Sequence, residues 1–572
     1  MIRLLEFKYY DSILFSLTLC LMAFRSFQGI DFTDTSWYFA EPYAVATGSV
    51  PYSNNWSQAP GFTLPLALFF KFFLLINEDA EGIVLFSHLL FDVWYCFVIL
   101  TEVFLLKRLW KDCPLSVSSC LLAFAAFTLY QINYNSIGIA YCSLIFVSVW
   151  YAIQRDDNKR LIAFLAGMLM SRTIIGTPAT LMEWILLVIF LAYSNRDILK
   201  WFVLGNVFTA MIVSIYCVWM TSMDSFILGI NTCVFDLYYL KMDKIVTYAD
   251  KMHTLWDIMK PSIFCFILVG VTNLKKIKYV NEVIVVCAIL SYVIAFFLCI
   301  RNFEILPFIQ YTWYIPVLFL FFKDKNIEFI NSVRGCSFFA LILMSIYCFA
   351  AMNDVWNGFN NRIIWLYYSS LCGIGIFYHI IKKCKWIGEI VIQAAVIAII
   401  ILQLQITYTN VYREEPILKL DTKVESGIWK GCYTTEKKAK AVIELERFLK
   451  ESTQDDDRIL VLDWASFGYV MSHGEICSPT VLDSMAYSYG LNQPGIMYKY
   501  FKHVQKVPTK IIYIDYGRDE KLSIEDNGWK FNNFVNRNYV LNKEFNDELF
   551  RVKIYSLLDS EKTLTSINEW AN

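Results

Sequence analysis

Two carboxylates, Asp31 and Asp34, lie three residues apart in the stretch 29–62, which contains no lysine or arginine. A positioned carboxylate is a common general base, able to take the proton of a hydroxyl group. The same stretch is dense in aromatic side chains, which include Trp37, Tyr38, Tyr52 and Trp56. It is therefore a candidate acid–base site, and the elements around it decide where it lies.

The chain as a whole is too apolar for a soluble protein. Of its 572 residues, 57% are hydrophobic and 18% are charged, whereas soluble domains have about 25% charged residues. The net charge of -1 gives no argument for a nucleic-acid partner. The apolar residues form bilayer-length runs up to residue 407, which predicts a membrane domain over 1–407 and a soluble domain over 408–572.

Hydropathy predicts a mainly α-helical membrane bundle with about thirteen spans. The predicted spans are 11–27, 83–106, 114–131, 136–154, 160–172, 178–194, 201–220, 261–273, 281–300, 306–322, 336–352, 362–381 and 387–407.

Lysine and arginine in the short loops predict the orientation, because cytoplasmic loops carry an excess of both. With the N-terminus in the cytoplasm, every predicted inner loop is basic. These loops are 107–112, 155–160, 194–200, 273–278, 323–326 and 382–385. This alternation requires that 60–77 lie along the outer face as an amphipathic helix. An odd number of spans then places both the acidic stretch and the domain 408–572 outside a cell membrane.

Single cations are predicted at the same outer face, at the ends of several helices. They are Lys71, Arg172, Arg301 and Arg362. Each is of the type that anchors a helix at the interface. Taken together, they suit a phosphate-bearing lipid whose head group must be held while an acceptor is deprotonated.

Several motifs along this layout resemble those of the GT-C class of polytopic membrane glycosyltransferases, which includes aminoarabinose lipid A transferases and protein O-mannosyltransferases. The motifs are "DTSWY" (34–38), "AVATGSVPY" (44–52), "APGFTLPLALFFKFFL" (59–74), "QINYNSIG" (131–138) and "SRTIIGTP" (171–178). The first matches the family's Asp-x-x-x-aromatic motif of the first outer loop. The resemblance covers about residues 1–410 and is strongest to the lipid A aminoarabinose branch.

The resemblance implies a sugar donor on a polyprenyl phosphate and an envelope lipid, glycan or protein as acceptor. Asp34 or Asp31 would be the base, and transfer would invert the anomeric carbon. The four outer cations would bind the donor phosphate. Trp37, Tyr38, Tyr52 and Trp56 would stack on the sugar or acceptor and exclude water.

The sequence also departs from the family pattern, because many relatives have paired acids at the motif and here Thr35 follows Asp34. This leaves open which carboxylate is the base and whether a metal is used. We expect no obligatory metal or other cofactor, since no carboxylate or His/Cys cluster has metal-ligand spacing. Most of the cysteines lie in apolar runs, and a bond between Cys432 and Cys477 stays open.

The soluble domain is predicted to be α/β, and to bind the acceptor or steady the outer face. A helix is expected over 436–452, with strands over 457–464, 509–517 and 549–558.

Two other functions remain open. An envelope polysaccharide polymerase or ligase would also use lipid-linked sugars outside the membrane. A transporter or flippase would require charged groups within the spans and internal repeats. The sequence shows no repeat, and Asp92, Glu102 and Glu183 are the exceptions to an almost complete absence of charge within the spans.

Overall fold

The computed structural model describes residues 10–56, 60–109, 131–232, 244–275, 279–302, 306–324, 326–353, 363–382, 411–462, 465–481, 496–516 and 530–559. Its helices up to residue 382 are α1 Tyr10–Ser26, α2 Asp34–Ala46, α3 Leu64–Ile76, α4 Ile83–Leu109, α5 Tyr134–Gln154, α6 Lys159–Gly176, α7 Leu181–Ser194, α8 Arg196–Met220, α9 Met223–Asn231, α10 Lys244–Leu274, α11 Val280–Asn302, α12 Leu306–Thr312, α13 Ile315–Leu318, α14 Ile327–Asn353 and α15 Tyr367–Lys382.

Most predicted spans coincide with these helices, and the predicted mainly helical fold is confirmed. Among the described residues, 6 helical segments are long and apolar enough to cross a bilayer, namely α4, α5, α8, α11 and the apolar parts of α10 and α14. The predicted spans 114–131 and 387–407 lie outside the described residues, so the full number of spans stays a prediction.

Helix α5 is the central helix of the bundle. Its N-terminus is closed by a capping box, in which the Asn133 side chain accepts from backbone N–H groups and Ser136 reciprocates. Neighbouring helices bury 83% of its most apolar window, against 22% for α8. Helix α5 therefore belongs to the protein interior, whereas most of the apolar window of α8 is not covered by protein.

Close helix contacts depend on two glycines. A Cβ on Gly167 of α6 would lie 2.0 Å from the carbonyl oxygen of Phe202, and one on Gly205 of α8 would lie 2.1 Å from that of Phe164. Each glycine thus faces the backbone of the other helix, an approach that only a residue without a side chain permits. This reciprocal contact fixes how α6 and α8 pack.

The loops separate into two faces. On the basic face, the Arg155 side chain donates to the carbonyl oxygen of Arg108 at 2.6 Å. On the same face, Arg160 pairs with Asp197 at 3.0 Å. On the opposite face, Tyr52 donates to the carbonyl oxygen of Ile175 at 3.0 Å. These contacts group the loops into two sets, and the side of the membrane on which each set lies stays a prediction.

Helix α3 differs in length from the helices that can span a membrane. Its 13 residues cover about 20 Å, less than the roughly 30 Å of a hydrocarbon core. One face of α3 is exposed and apolar, with Leu68 at 72% and Leu75 at 75% exposure. The predicted span α7 is almost as short, at 14 residues, so the position of α3 along the outer face stays a prediction.

After residue 410 the chain forms a mixed α/β domain. Its helices are α16 Glu436–Ser452, α17 Phe467–Met471, α18 Ile496–Val504 and α19 Lys530–Asn538, and its strands are β1 Thr422–Lys423, β2 Tyr433–Thr434, β3 Arg458–Leu462, β4 Glu475–Ile476, β5 Lys510–Asp515, β6 Tyr539–Asn546 and β7 Arg551–Leu557. The main sheet has the order β4-β3-β5-β7-β6. Strands β4, β3 and β5 are parallel, and β7 is antiparallel to both β5 and β6. The predicted helix and three strands are present.

Candidate functional site

The acidic stretch folds back on itself where α2 begins. Both oxygens of Asp31 are engaged there: Oδ1 accepts from the backbone N–H and hydroxyl of Thr33 at 3.1 and 2.7 Å, and Oδ2 accepts from the Thr35 N–H at 2.8 Å. Burial raises the pKa of Asp31, and the hydrogen bonds from Thr35 and Thr33 oppose that rise. Asp31 thus satisfies the helix N-terminus, which is a structural role.

Asp34 lies in the first turn of α2 and is 24% exposed, so its carboxylate is accessible to a ligand. Its Oδ2 atom accepts a hydrogen bond from the phenol of Tyr412. The same atom lies 3.5 Å from Nη2 of Arg413. The stretch 29–62 contains no lysine or arginine. The cation beside Asp34 is Arg413, which follows the predicted membrane domain in the chain.

Residues 411–414, here called the return segment, bind the start of the acidic stretch at more than one point. Oε2 of Glu414 accepts from the backbone N–H of Ile30 at 3.0 Å and from Nζ of Lys438 at 2.8 Å. Tyr433 pairs with the same loop through its backbone, donating to Phe27 at 2.7 Å and accepting from Gly29 at 2.8 Å. The soluble domain and the first loop therefore lie on the same face of the protein.

Phe32 inserts into the core of the soluble domain. Its ring centroid lies 5.1 Å from that of Phe550, 5.6 Å from that of Phe467 and 5.7 Å from that of Trp429. Edge and tilted contacts of this kind add to the hydrophobic gain from burial. The side chain anchors the loop that carries Asp34.

Arg172 lies beneath the same loop. Its Nη2 donates to the carbonyl oxygen of Phe62 at 2.7 Å. The ring of Phe62 contacts the rings of Trp37 and Tyr38, with centroids 6.3 and 6.1 Å away. Nε and Nη1 of Arg172 are buried and have no hydrogen-bond partner among the described residues. The structure thus connects Arg172 to α2 through Phe62.

Three of the four aromatic residues that were predicted to contact the sugar or acceptor are buried in the structure, and that role stays a prediction. Trp37 and Tyr38 are 3% and 4% exposed, and Trp56 is 0% exposed. Trp56 packs on Tyr500 and His503 of the soluble domain, with centroids 5.4 and 6.2 Å away. Trp56 is therefore a core residue, and its enclosed indole ring has no face left for a sugar. Tyr52 is half-buried.

The described members of the four predicted phosphate-binding cations do not contact Asp34. Lys71 is exposed on the apolar face of α3, where it follows Leu68 and precedes Phe72 and Leu75. Such a position suits a lysine that extends from lipid to the interface. Arg301 is exposed at the end of α11, and no described contact joins it to α2. Arg362 lies outside the described residues.

Five residues that contact the acidic loop or the turn just before it were not predicted from the sequence. They are Arg25, Tyr412, Arg413, Glu414 and Lys438. Arg25 ends α1 and donates to the carbonyl oxygen of Gln28 at 2.5 Å. The other four lie far along the chain from the loop, at separations of 378 residues for Tyr412 and Asp34 and 408 residues for Lys438 and Ile30. The cluster "VYREE" just after the last predicted span was the available signal, since outer loops are otherwise poor in basic residues.

The return segment contains a residue with a positive φ angle and two side chains with raised pKa values. Arg413 has φ of +52°, which non-glycine residues seldom adopt. Burial raises the pKa of Tyr412, and the nearby charge of Asp34 adds to that rise. Burial, the largest single effect, lowers the pKa of Arg413, but the charge of Asp34 together with those of Tyr412, Asp31 and Tyr516 raises that pKa overall. Both groups therefore stay protonated donors at neutral pH.

A groove of about 650 Å³ runs between α1, α4 and the soluble domain. Its lining includes Phe24, Phe27, Leu85, Ile417 and Lys423. It contacts neither Asp34 nor Arg172. Within the described ranges, no group of three or more His, Cys, Asp or Glu side chains could hold a metal ion.

Comparisons with known proteins give little guidance. No protein-family model and no curated protein matches the chain. Among solved structures, the fold is similar to the archaeal oligosaccharyltransferase AglB from Archaeoglobus fulgidus, solved with an inhibitory peptide and a dolichol-phosphate. The TM-score is 0.46 at 8% identity, covering 88% of this chain and 69% of that one. Similarity at this level carries no functional inference.

Proposed function

We propose that this membrane protein is a glycosyltransferase of the GT-C type, which moves a sugar from a polyprenyl phosphate to an acceptor in the cell envelope. The observation that carries the proposal is the environment of Asp34, an accessible carboxylate at a helix N-terminus beside the cation Arg413. A base and a cation side by side are what transfer from a phosphate-linked sugar to a hydroxyl requires.

The chemistry is a single displacement on the outer face. Asp34 takes the proton of the acceptor hydroxyl while the acceptor oxygen attacks the anomeric carbon. The bond from that carbon to the phosphate oxygen breaks, and the polyprenyl phosphate leaves with the electron pair. The configuration at the anomeric carbon inverts. General-base help of this kind contributes about 10²–10⁴-fold to the rate.

Cations support the departure of the phosphate. Of the four predicted cations, Arg172 is the one that packs under α2 in the described part of the chain. Its Nε and Nη1 atoms have no hydrogen-bond partner among the described residues. Preorganised charges of this kind each contribute roughly 3–4 kcal/mol to catalysis. Arg301 and Arg362 remain candidates for the same role. In the proposed enzyme, membrane lipids surround the helices.

Transport is the second candidate function, because buried carboxyl groups lie within the bundle. Glu102 on α4 and Glu183 on α7 are 1% and 0% exposed. Among the described residues, no N–H or O–H group donates to Glu183, and its polar neighbour is the thiol of Cys142. Ionisable groups inside a membrane often line the path of an ion or a polar substrate.

The two functions are separated by mass spectrometry of envelope glycans. Cells that lack the gene are complemented with wild type, Asp34→Asn or Glu183→Gln. A transferase predicts that a glycan modification disappears on deletion, returns with wild type and Glu183→Gln, and does not return with Asp34→Asn. Restoration by Asp34→Asn but not by Glu183→Gln would favour transport instead.

A further inference from the structure

The contacts of Asp34 are confined to one side of its carboxylate. Tyr412 and Arg413 both approach Oδ2, and no described residue bonds Oδ1. Asp31, in contrast, uses both oxygens for the backbone and hydroxyl groups of Thr33 and Thr35. Asp34 thus has one oxygen held by protein and one available to a ligand.

The two donors form a small, connected unit. The guanidinium of Arg413 lies over the ring of Tyr412, 5.1 Å from its centroid. Nη1 of Arg413 donates to Oγ1 of Thr33, which in turn donates to Asp31 at 2.7 Å. The left-handed backbone of Arg413, with φ of +52°, costs energy that the surrounding contacts must offset.

From this geometry we infer that Tyr412 and Arg413 are positioning residues for the general base: they hold Oδ2 of Asp34 so that Oδ1 faces the acceptor hydroxyl. The inference rests on the proposed function. The acceptor proton passes to Oδ1, while the electron pair of the broken bond leaves with the donor phosphate. Charge-assisted hydrogen bonds are the stronger kind and fix orientation.

Positioning affects the rate of the chemical step more than donor binding. A displacement of about 1 Å can cost roughly 10²-fold in rate. A cation that instead binds the donor phosphate would change the KM for the donor. Comparing the change in kcat with the change in the donor KM therefore separates a positioning role from phosphate binding.

The test is a double-mutant cycle on the purified full-length protein. The donor is undecaprenyl phosphate carrying a radiolabelled hexose, chosen as the sugar that the wild type transfers, and each variant is checked by a thermal melt. Tyr412→Phe should lower kcat about tenfold and Arg413→Gln about 10²-fold, with the donor KM changed less than about twofold. Arg413→Lys should retain part of the rate.

The decisive result is non-additivity. In an Asp34→Asn background, Tyr412→Phe and Arg413→Gln should each change kcat by less than about twofold, because they act through the missing carboxylate. Tyr433→Phe is the matched control, since Tyr433 contacts the loop through its backbone, and it should keep full activity.

Two outcomes would overturn the inference. One is full activity of folded Tyr412→Phe and Arg413→Gln, and the other is a raised donor KM at unchanged kcat, which would assign Arg413 to the phosphate. If Asp34→Asn itself stays active, the proposed function loses its base. If Asp34→Asn is inactive and the other two variants are silent, only the positioning role fails.

Discussion

Asp31 and Asp34 are the same residue type, three positions apart, yet the structure gives them different tasks. Asp31 is buried and uses both oxygens at the start of α2, where Oδ2 accepts from the Thr35 N–H and Oδ1 from the Thr33 N–H. Asp34 is accessible and is held through Oδ2 alone. The sequence left open which carboxylate is the base, and these contacts favour Asp34.

The cysteines of the soluble domain allow a prediction at the same scale. Cys432 and Cys477 are both free and buried. They belong to different hydrophobic clusters. Burial raises the pKa of each thiol to about 12. Because only the thiolate reacts, neither should be modified by N-ethylmaleimide at pH 8 in the native protein.

Peptide mass spectrometry checks this prediction, with protein denatured in SDS as the positive control. Reactivity should appear only as the pH rises toward 12 or as the domain unfolds. Rapid modification of the native protein, or a Cys432–Cys477 disulfide in unreduced peptides, would contradict the structure of this domain.

At the scale of elements, the acidic loop is an anchor between the bundle and the soluble domain. Phe32 occupies a pocket of four rings, those of Trp429, Phe467, Tyr516 and Phe550. Removing a buried aromatic ring costs about 3–5 kcal/mol. Phe32→Ala should therefore lower the melting temperature of the purified protein.

The matched control is Phe72→Ala on α3, where the side chain is 63% exposed. It should melt within about 1 °C of wild type, because little packing is lost. Equal melting temperatures for the two variants would show that the loop is not anchored through Phe32.

Element types were largely predictable from the sequence, because apolar runs and helical periodicity are local signals. The predicted helix 436–452 matches Glu436–Ser452, and the predicted strand 457–464 contains Arg458–Leu462. Strand Tyr539–Asn546 was missed, because its side chains are mostly exposed and carry no alternating apolar pattern. It lies at the edge of the sheet.

The site itself was only half predictable. The position of Asp34 after α1 follows from local sequence, but its contact with Arg413 joins two residues about 380 positions apart in the chain. No short-range pattern encodes such a contact. The burial of the aromatic residues is likewise not visible in the local sequence. Trp56, which was predicted to contact the sugar or acceptor, packs on the distant residues Tyr500 and His503.

At the scale of the whole molecule, contacts divide the loops into two faces, and the basic face is predicted to be cytoplasmic. Asp156 is 93% exposed on that face. Lys440 is 70% exposed on the soluble domain. In intact cells, a membrane-impermeant maleimide should label Lys440→Cys but not Asp156→Cys.

Permeabilised cells are the control, in which both variants should be labelled above the wild-type background. Labelling of Asp156→Cys alone in intact cells would invert the orientation. It would also place Asp34 on the side where nucleotide sugars, not polyprenyl-phosphate sugars, are the usual donors.

The central claim is that the Asp34 carboxylate is the general base of a transfer from polyprenyl-phosphate sugar. The most direct measurement is the single-turnover rate of hexose transfer by purified wild type, Asp34→Asn and Asp31→Asn, with folding checked by thermal melt. We predict that Asp34→Asn loses about 10²-fold or more in rate. Asp31→Asn should lose less rate and mainly lower the melting temperature, since it weakens the cap of α2. Near-wild-type transfer by folded Asp34→Asn would contradict the account.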